Sequence, residues 1–268
     1  MVKKRYWSRR LLAALVLALL IDGGSREVIR TTCCEVSCPG LPEAFSGFRI
    51  ALVSDLHGEF LEGDTLAKAV EGADIIAVTG DLFDRRTDLS LVAPGMAALC
   101  RVAPVYYVSG NHEWIVERRR QVWRAMAAAG VVNLDDAWVT LERQGASLPL
   151  PGIRDPGGPA DGPAPGEVLS EAPDGFLILL YHRNTNPEQW CALGADLVLS
   201  GHGHGGLVRL PLVGGIAGAN RTLFPTYAGG IYRLSQTTLV VSRGLGTTPD
   251  APRLFNPPEV LMLTLRPG

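Results

Sequence analysis

The sequence predicts an α/β fold built on a sheet that is buried on both faces. Residues 48–53, 75–79 and 105–108 form short apolar segments without polar alternation, which is typical of strands covered on both sides. Segments of helical character lie between them. The chain of 268 residues is long enough for one large domain, and its residues show no internal repeat.

The expected elements alternate along the chain. Asp88 is a plausible N-cap for one helix, and in another helix Ile115, Val122, Met126 and Ala129 share a face. Strands are expected at 27–37, 48–53, 75–79, 105–108, 176–181, 196–200 and 260–265, helices at 63–71, 88–99, 113–129 and 187–193, and a β-hairpin at 230–234 and 238–242. In residues 151–175, twelve of 25 residues are proline or glycine, so a mobile loop is expected there.

The N-terminus has the pattern of a targeting segment. Residues 11–21 form an unbroken apolar run, and five basic residues precede it: Lys3, Lys4, Arg5, Arg9 and Arg10. Eleven residues are fewer than the roughly 20 that span a bilayer and closer to the core of a signal peptide. No small-x-small cleavage site follows, which favours a retained anchor over a cleaved signal. A buried N-terminal helix is the alternative.

These features divide the chain into a signal or membrane-anchor segment, 1–26, and a domain, 27–268. The charge bias of the segment places the domain outside the cytoplasm, either membrane-anchored or exported.

Charge and cysteine content argue against a nucleic-acid partner and against a cysteine-ligated zinc site. With 25 basic and 27 acidic residues, the net charge of −2 gives no electrostatic reason to expect nucleic acid as a partner. The five cysteines do not form a zinc-binding spacing. Cys33 and Cys34 would face opposite sides of a strand, and the cysteines are best interpreted as small buried hydrophobes, with no disulfide pair selected.

The histidines are the most informative residues. The chain has five, and each follows the end of an apolar strand, where α/β sheets bind their ligands. Three of these strand ends also carry carboxylates or an amide. The candidate residues are Asp55, His57, Asp81, Asp84, Asn111, His112, Glu113, His182, His202 and His204.

Imidazole mixed with carboxylate suits Mn, Fe or Zn better than Ca or Mg. The donors are too many for one tetrahedral zinc ion. They fit two divalent ions about 3.5–4 Å apart that share a carboxylate, an arrangement that clamps a phosphoryl group. The sequence therefore predicts a dinuclear metal site that acts on phosphate esters.

Taken together, Asp55-x-His57, Gly80-Asp81-x-x-Asp84, Gly110-Asn111-His112-Glu113, His182 and Gly201-His202-x-His204 resemble the signature of the calcineurin-like metallophosphoesterases. The resemblance implies a four-layer α/β/β/α sandwich with two mixed sheets. It also implies a first metal site of Asp55, His57, Asp81 and His204, and a second site of Asn111, His182 and His202 that shares Asp81.

The same resemblance assigns the remaining candidates. His112 would contact the phosphate and assist the leaving group without binding metal, and Asn111 would help to stabilise the phosphoryl charge. Asp84 and Glu113 would orient the ligands. A hydroxide bridging the two ions would attack phosphorus in line.

A narrower similarity links residues 41–50, 205–206, 223–225, 242–246 and 252–256 to the membrane- or envelope-associated branch of this family. That branch includes phosphodiesterases, and enzymes like UDP-2,3-diacylglucosamine pyrophosphatase belong to the wider group. The expected substrate is therefore a phosphodiester or pyrophosphate, lipid-linked or part of the cell envelope. A phosphomonoesterase, a nuclease and a scaffold without metals are the alternatives.

Some positions bear on substrate preference. Gly203, Leu207 and Tyr181 differ from the residues usual in the family, and none of them is a ligand. Three arginines could contact a phosphate: Arg183, Arg221 and Arg243. A solvated or structural role is the alternative for each of them. The run Arg118–Arg120 is expected to be the exposed face of a helix.

Overall fold

The computed structural model describes residues 28–210, 213–218, 222–248 and 253–268. Its strands are β1 (Arg30–Cys38), β2 (Arg49–Val53), β3 (Ile75–Thr79), β4 (Val105–Val108), β5 (Val132–Asn133), β6 (Ala137–Arg143), β7 (Ala146–Ile153), β8 (Ile178–Tyr181), β9 (Leu197–Ser200), β10 (Val208–Leu210), β11 (Gly214–Ala217), β12 (Gly230–Leu234), β13 (Thr237–Val241) and β14 (Glu259–Pro267). Its α-helices are α1 (Thr65–Ala69), α2 (Val92–Cys100), α3 (Asn111–Trp114), α4 (Arg119–Ala128), α5 (Pro165–Glu171) and α6 (Glu188–Ala192), and Glu43–Phe45 forms a 3₁₀ turn.

The strands form two mixed six-stranded sheets and a small hairpin. The first sheet has the order β1-β14-β2-β3-β4-β5, and the second has the order β12-β13-β9-β8-β7-β6. In the first sheet β2, β3 and β4 run parallel, and in the second β7, β8 and β9 do. Parallel neighbours bring the loops after their carboxyl ends to one edge, and this places the candidate residues together.

Three hydrophobic layers hold this fold together. Ile50 of the first sheet and Leu180 of the second belong to the core between the two sheets. Helices α1, α2 and α4 cover the outer face of the first sheet, where Met96 and Met126 are buried. Helices α5 and α6 cover the second sheet, with Trp190 in that core. The four-layer α/β/β/α sandwich is thus confirmed.

Two expected helices have different bounds. The helix expected at 88–99 begins at Val92, because the Asp88 carboxylate accepts hydrogen bonds from Ser90 N at 3.0 Å and Ser90 Oγ at 2.7 Å in the preceding turn. The helix expected at 113–129 is divided into α3 and α4. Its expected apolar face is wrong at Ile115, which is 46% exposed, whereas Val122 and Met126 are buried.

The expectation of an unpacked loop at 151–175 is also wrong in part. Its first three residues complete β7, and α5 lies within it, with Val168 and Leu169 buried in the outer core of the second sheet. Strands β5 and β6, and the first part of β7, were not predicted.

The cysteine interpretation holds for Cys38, which is buried, and is wrong for Cys33, which is exposed. Cys33 and Cys34 do alternate in exposure along β1, as expected for a strand. All five cysteines are free thiols.

The predicted targeting segment, including the apolar run at 11–21, lies outside the described residues, so the boundary near residue 26 stays a prediction. Within the described ranges, no helix combines the length and apolar character that crossing a bilayer requires.

Candidate active site

Five loops at the carboxyl ends of β2, β3, β4, β8 and β9 carry the candidate residues. They bring together Asp55 and His57, Asp81 and Asp84, Asn111 to Glu113, His182, and His202 and His204. Most of these side chains are buried, and those of Asn111, His112 and His202 are partly exposed. Side chains from both sheets therefore meet at one edge of the sandwich.

Local backbone geometry turns these side chains inward. Five candidates have left-handed backbone conformations with φ between 47° and 64°: Asp55, His57, Asp81, His202 and His204. Gly80 also has a positive φ, of 82°, and a Cβ there would lie 2.6 Å from Gly110 N. The loops after β3 and β4 approach this closely only because residue 80 lacks a side chain.

The first donor cluster consists of Asp55, His57 and His204. His57 Nε2 and His204 Nε2 are 3.4 Å apart, and His204 Nε2 is 3.6 Å from Asp55 Oδ1. The candidate ligand atoms of all three residues lie within 4.8 Å of one another.

The second donor cluster consists of Asp81, His182 and His202. His182 Nε2 lies 3.3 Å from Asp81 Oδ2 and 3.1 Å from His202 Nδ1. Asn111 Oδ1 is also 3.1 Å from His182 Nε2, so the amide adjoins this cluster. Asp81 Oδ2 is 3.8 Å from His57 Nε2, which places this carboxylate between the two clusters.

His112 lies beside the shared carboxylate. Its Nε2 is 4.0 Å from Asp81 Oδ2, and its ring packs edge-on against His57 with centroids 4.8 Å apart. Its side chain is 32% exposed, unlike the buried imidazoles of His57 and His182. His57, Asp84 and His112 form a third group with donor atoms within 4.8 Å.

Glu113 and Asp84 organise the loops behind these donors. The buried Glu113 carboxylate accepts hydrogen bonds from the backbone N–H groups of Asp81, Leu82 and Gly110. It thereby ties the loop after β3 to the loop after β4. Asp84 Oδ2 lies 3.4 Å from His57 Nδ1 and 2.8 Å from the Arg86 guanidinium.

The electrostatics favour a bound cation. Burial lowers the pKa of His202 to about 4 and that of His204 to about 3, so both imidazoles are unprotonated at neutral pH. Burial disfavours protonation of His182, but the surrounding carboxylates, Asp81 foremost, raise its pKa to about 10. That shift reflects a negative field that would attract a metal ion equally well.

The residues fit divalent cations by two observations. Imidazole nitrogens and carboxylate oxygens converge in two groups, the donor set that suits Mn, Fe or Zn. His57 Nε2 and His204 Nε2, moreover, face each other at 3.4 Å, so a cation beside them could accept a lone pair from each ring.

Sequence reasoning missed three residues that support the site. Ser54 Oγ donates to Asp55 Oδ2 at 2.6 Å, and Asn256 Nδ2 donates to His204 O at 2.6 Å. Asp155 is fully buried and receives two hydrogen bonds from Arg183. The adjacency of Ser54 to Asp55 was a local signal, whereas Asn256 and Asp155 are distant in sequence from the groups they hold.

Two of the three arginine candidates form ion pairs within the fold, and the third lies outside the described residues. Arg183 pairs with Asp155, and Arg243 pairs with Glu259, so both have structural partners. Arg221 lies outside the described residues. In the run 118–120, Arg118 and Arg120 are exposed as expected, and the partly buried Arg119 lies over the Trp114 ring.

A family model for calcineurin-like phosphoesterases matches residues 48–206, the span that contains every candidate ligand. The chain belongs to this family. Given the family and the clustered donors, it is a metal-dependent phosphoesterase, a hydrolase that uses divalent metal ions.

Named relatives extend the similarity over most of the chain. Metallophosphoesterase YkuE of Bacillus subtilis is 26% identical over 99% of this chain and 98% of its own length. Phosphodiesterase YaeI of Escherichia coli is 28% identical over 81% of this chain and 82% of its own length. A transmembrane protein with metallophosphoesterase domain from Danio rerio is 26% identical over 87% of this chain, which spans 56% of that relative.

Removing metal is expected to lower thermal stability. Binding to the native state alone adds about 2.7 kcal/mol at a ligand concentration one hundred times Kd, so chelation should lower Tm by roughly 5–10 °C. Differential scanning calorimetry of Mn-loaded and EDTA-treated protein measures this. Readdition of Mn should restore the original Tm, and identical melting of both samples would contradict metal binding at the clusters.

Proposed function

We propose that the protein is a dinuclear-metal phosphodiesterase acting on a lipid-linked or cell-envelope substrate at a membrane surface. The observation that carries the dinuclear part of this proposal is the position of Asp81 Oδ2, which lies 3.8 Å from His57 Nε2 and 3.3 Å from His182 Nε2. A single carboxylate oxygen thus adjoins both donor clusters, as a shared ligand must.

The two clusters would hold one cation each. Asp81 would belong to both sites, with the first completed by Asp55, His57 and His204 and the second by Asn111, His182 and His202. When bound, two divalent cations neutralise charge on a phosphoryl group and acidify a water molecule near phosphorus.

The chain's own groups then position the ester. The His112 side chain borders both Asp81 and solvent, so a phosphoryl oxygen can reach its ring N–H. Burial lowers the pKa of His112, and its neutral imidazole keeps one N–H to donate. This contact stabilises charge that grows on the phosphoryl oxygens. The proton for the departing oxygen would come from a water, or from His112 in the fraction of molecules that carry it as imidazolium, which becomes neutral imidazole after the transfer.

An N-terminal membrane anchor would meet the domain on the side that carries the site. Glu259 N donates to Gly244 O next to the loop of Asp55, and Arg30 of β1 lies opposite Glu259. The described chain therefore begins at the edge of the sandwich that carries the site. Residues 11–21, if inserted in a bilayer, would join the domain at this edge and keep the site near the lipid surface.

The names of relatives agree with both parts of the proposal. One is named a phosphodiesterase, and another a transmembrane protein with metallophosphoesterase domain. The alternatives remain a phosphomonoesterase, a nuclease of the same fold and a scaffold without catalysis.

A substrate panel tests the proposed function. The Mn-loaded full chain should hydrolyse bis(p-nitrophenyl) phosphate with a kcat/KM at least about tenfold above that for p-nitrophenyl phosphate, a difference of about 1.4 kcal/mol in barrier. Release of p-nitrophenolate is followed at 405 nm, a standard wavelength for this product. A preference for the monoester would overturn the diesterase assignment. Protein that binds little Mn, Fe or Zn and shows no metal-stimulated hydrolysis would indicate a scaffold.

A further inference from the structure

A cavity of about 430 Å³ adjoins the second donor cluster on the side of His202. It lies between the loop after β8 and the segment before β12. Its wall includes Asn184, Thr185, Gly203, Leu223, Phe224 and Tyr227. Because His202 contributes to this wall, a group in the cavity would extend directly from a phosphoryl group held at the metal site.

The cavity has no charged wall in the part of the chain that the structure describes. Its lining residues there include no lysine, arginine, aspartate or glutamate, and their titratable side chains are His202 and Tyr227. Within these described residues, a second phosphate or a carboxylate would find no side chain of opposite charge. An uncharged substituent suits this space better.

The residues that line the cavity include both apolar and polar side chains. Leu223 and Phe224 are 72% and 63% exposed, which is unusual for large apolar side chains beside a polar site. The lining also includes the amides and hydroxyl of Asn184, Thr185 and Asn186. The cavity can therefore contact a group with both polar and apolar parts.

Gly203 helps to keep this shape. Asn184 Nδ2 donates to Tyr227 O at 2.7 Å and so joins the two sides of the cavity. A Cβ at residue 203 would overlap Asn184 Nδ2, and it would lie 3.6 Å from Tyr227 O. A residue with a Cβ at this position would therefore displace the Asn184 amide and break this hydrogen bond.

We propose that this cavity is a subsite for one alcohol substituent of a phosphodiester, an uncharged group whose apolar portion contacts Leu223 and Phe224. This inference rests on the proposed function and deepens it. It favours a diester with one apolar alcohol substituent, because Leu223 and Phe224 offer apolar contact in a cavity that His202 also lines.

Three p-nitrophenyl diesters test the subsite with the Mn-loaded full chain: the methyl, hexyl and 2-carboxyethyl phosphates. The hexyl ester should have a KM about tenfold below that of the methyl ester, since it adds five methylenes that can leave water. The carboxyethyl ester should have the highest KM. Equal KM values, or preference for the carboxyethyl ester, would overturn the subsite.

A double variant and a control variant show whether Leu223 and Phe224 cause the difference in KM between the methyl and hexyl esters. Leu223→Gln combined with Phe224→Asn removes the apolar wall, and asparagine tolerates the left-handed conformation of residue 224, where φ is 50°. The ratio of methyl to hexyl KM should fall from about ten to near one, with bound Mn unchanged. The matched control is Leu193→Gln, an exposed leucine between α6 and the amino end of β9, which should keep the wild-type ratio. A double variant with the wild-type ratio would contradict the proposal.

Binding without turnover separates this inference from the proposed function. Isothermal titration of Mn-loaded protein with hexyl methylphosphonate and methyl methylphosphonate should show about the same tenfold preference. If no diester is hydrolysed but the preference persists and depends on Leu223 and Phe224, the diesterase proposal fails and the subsite stands. Equal affinity for the two phosphonates would overturn the subsite even if diesters are hydrolysed.

Discussion

Asp81→Ala is expected to lower kcat/KM for a phosphodiester by about a thousandfold or more, equivalent to roughly 4 kcal/mol of transition-state stabilisation. The reason is that Asp81 Oδ2 adjoins imidazoles of both donor clusters, so its loss weakens both cation sites at once. Steady-state kinetics with Mn in excess and metal analysis by inductively coupled plasma spectrometry measure the two effects. Both turnover and bound metal should fall.

The matched control for this variant is Asp174→Ala. Asp174 is exposed and precedes the amino end of β8, on the side of the sheet away from the site. This control should retain activity and metal. An Asp81→Ala protein that binds as much Mn as the wild type and hydrolyses diesters normally would refute the shared-carboxylate assignment.

His112→Ala is expected to reduce kcat by about a hundredfold or more, the contribution typical of a positioned proton donor. Bound metal should stay at the wild-type level, because the interaction of His112 with Asp81 Oδ1 runs through the backbone N–H at 2.8 Å and survives truncation of the side chain. Metal analysis and single-turnover kinetics separate the two quantities. Added imidazole should recover part of the lost rate.

Loss of metal in His112→Ala would make this residue a ligand instead. The third group, His57, Asp84 and His112, is compact enough to allow that outcome. His112→Gln, which keeps a hydrogen-bond donor, should retain more activity than His112→Ala if the role is contact with the phosphoryl group.

The donors could be predicted from sequence because their signal is local. Each follows a strand whose apolar run is continuous, as in β3 before Asp81 and β9 before His202, and the carboxyl ends of such strands meet at one edge. The apolar runs thus indicated a sheet buried on both faces and the candidate residues, whereas the four-layer architecture was implied by the family resemblance.

The missed features depend on contacts between distant residues. Helix α3 stops after Trp114 although the sequence pattern continues, and its Glu113 accepts hydrogen bonds from the loop of Asp81. Strand β7 contains two prolines, Pro149 and Pro151, which argue against a strand in isolation. The buried Asp155 lies in a segment rich in proline and glycine, and its partner Arg183 is 28 residues away.

The left-handed backbone at five candidate ligands has an evolutionary consequence. For residues other than glycine this conformation costs about 1–2 kcal/mol, somewhat less for aspartate. The donor loops together therefore lower the free energy of unfolding by several kcal/mol. Glycine or asparagine at His57, His202 or His204 would relieve that cost and remove an imidazole. A library of variants selected only for heat tolerance in the presence of a chelator should therefore accumulate such replacements. These variants would be more stable and would lose catalytic activity.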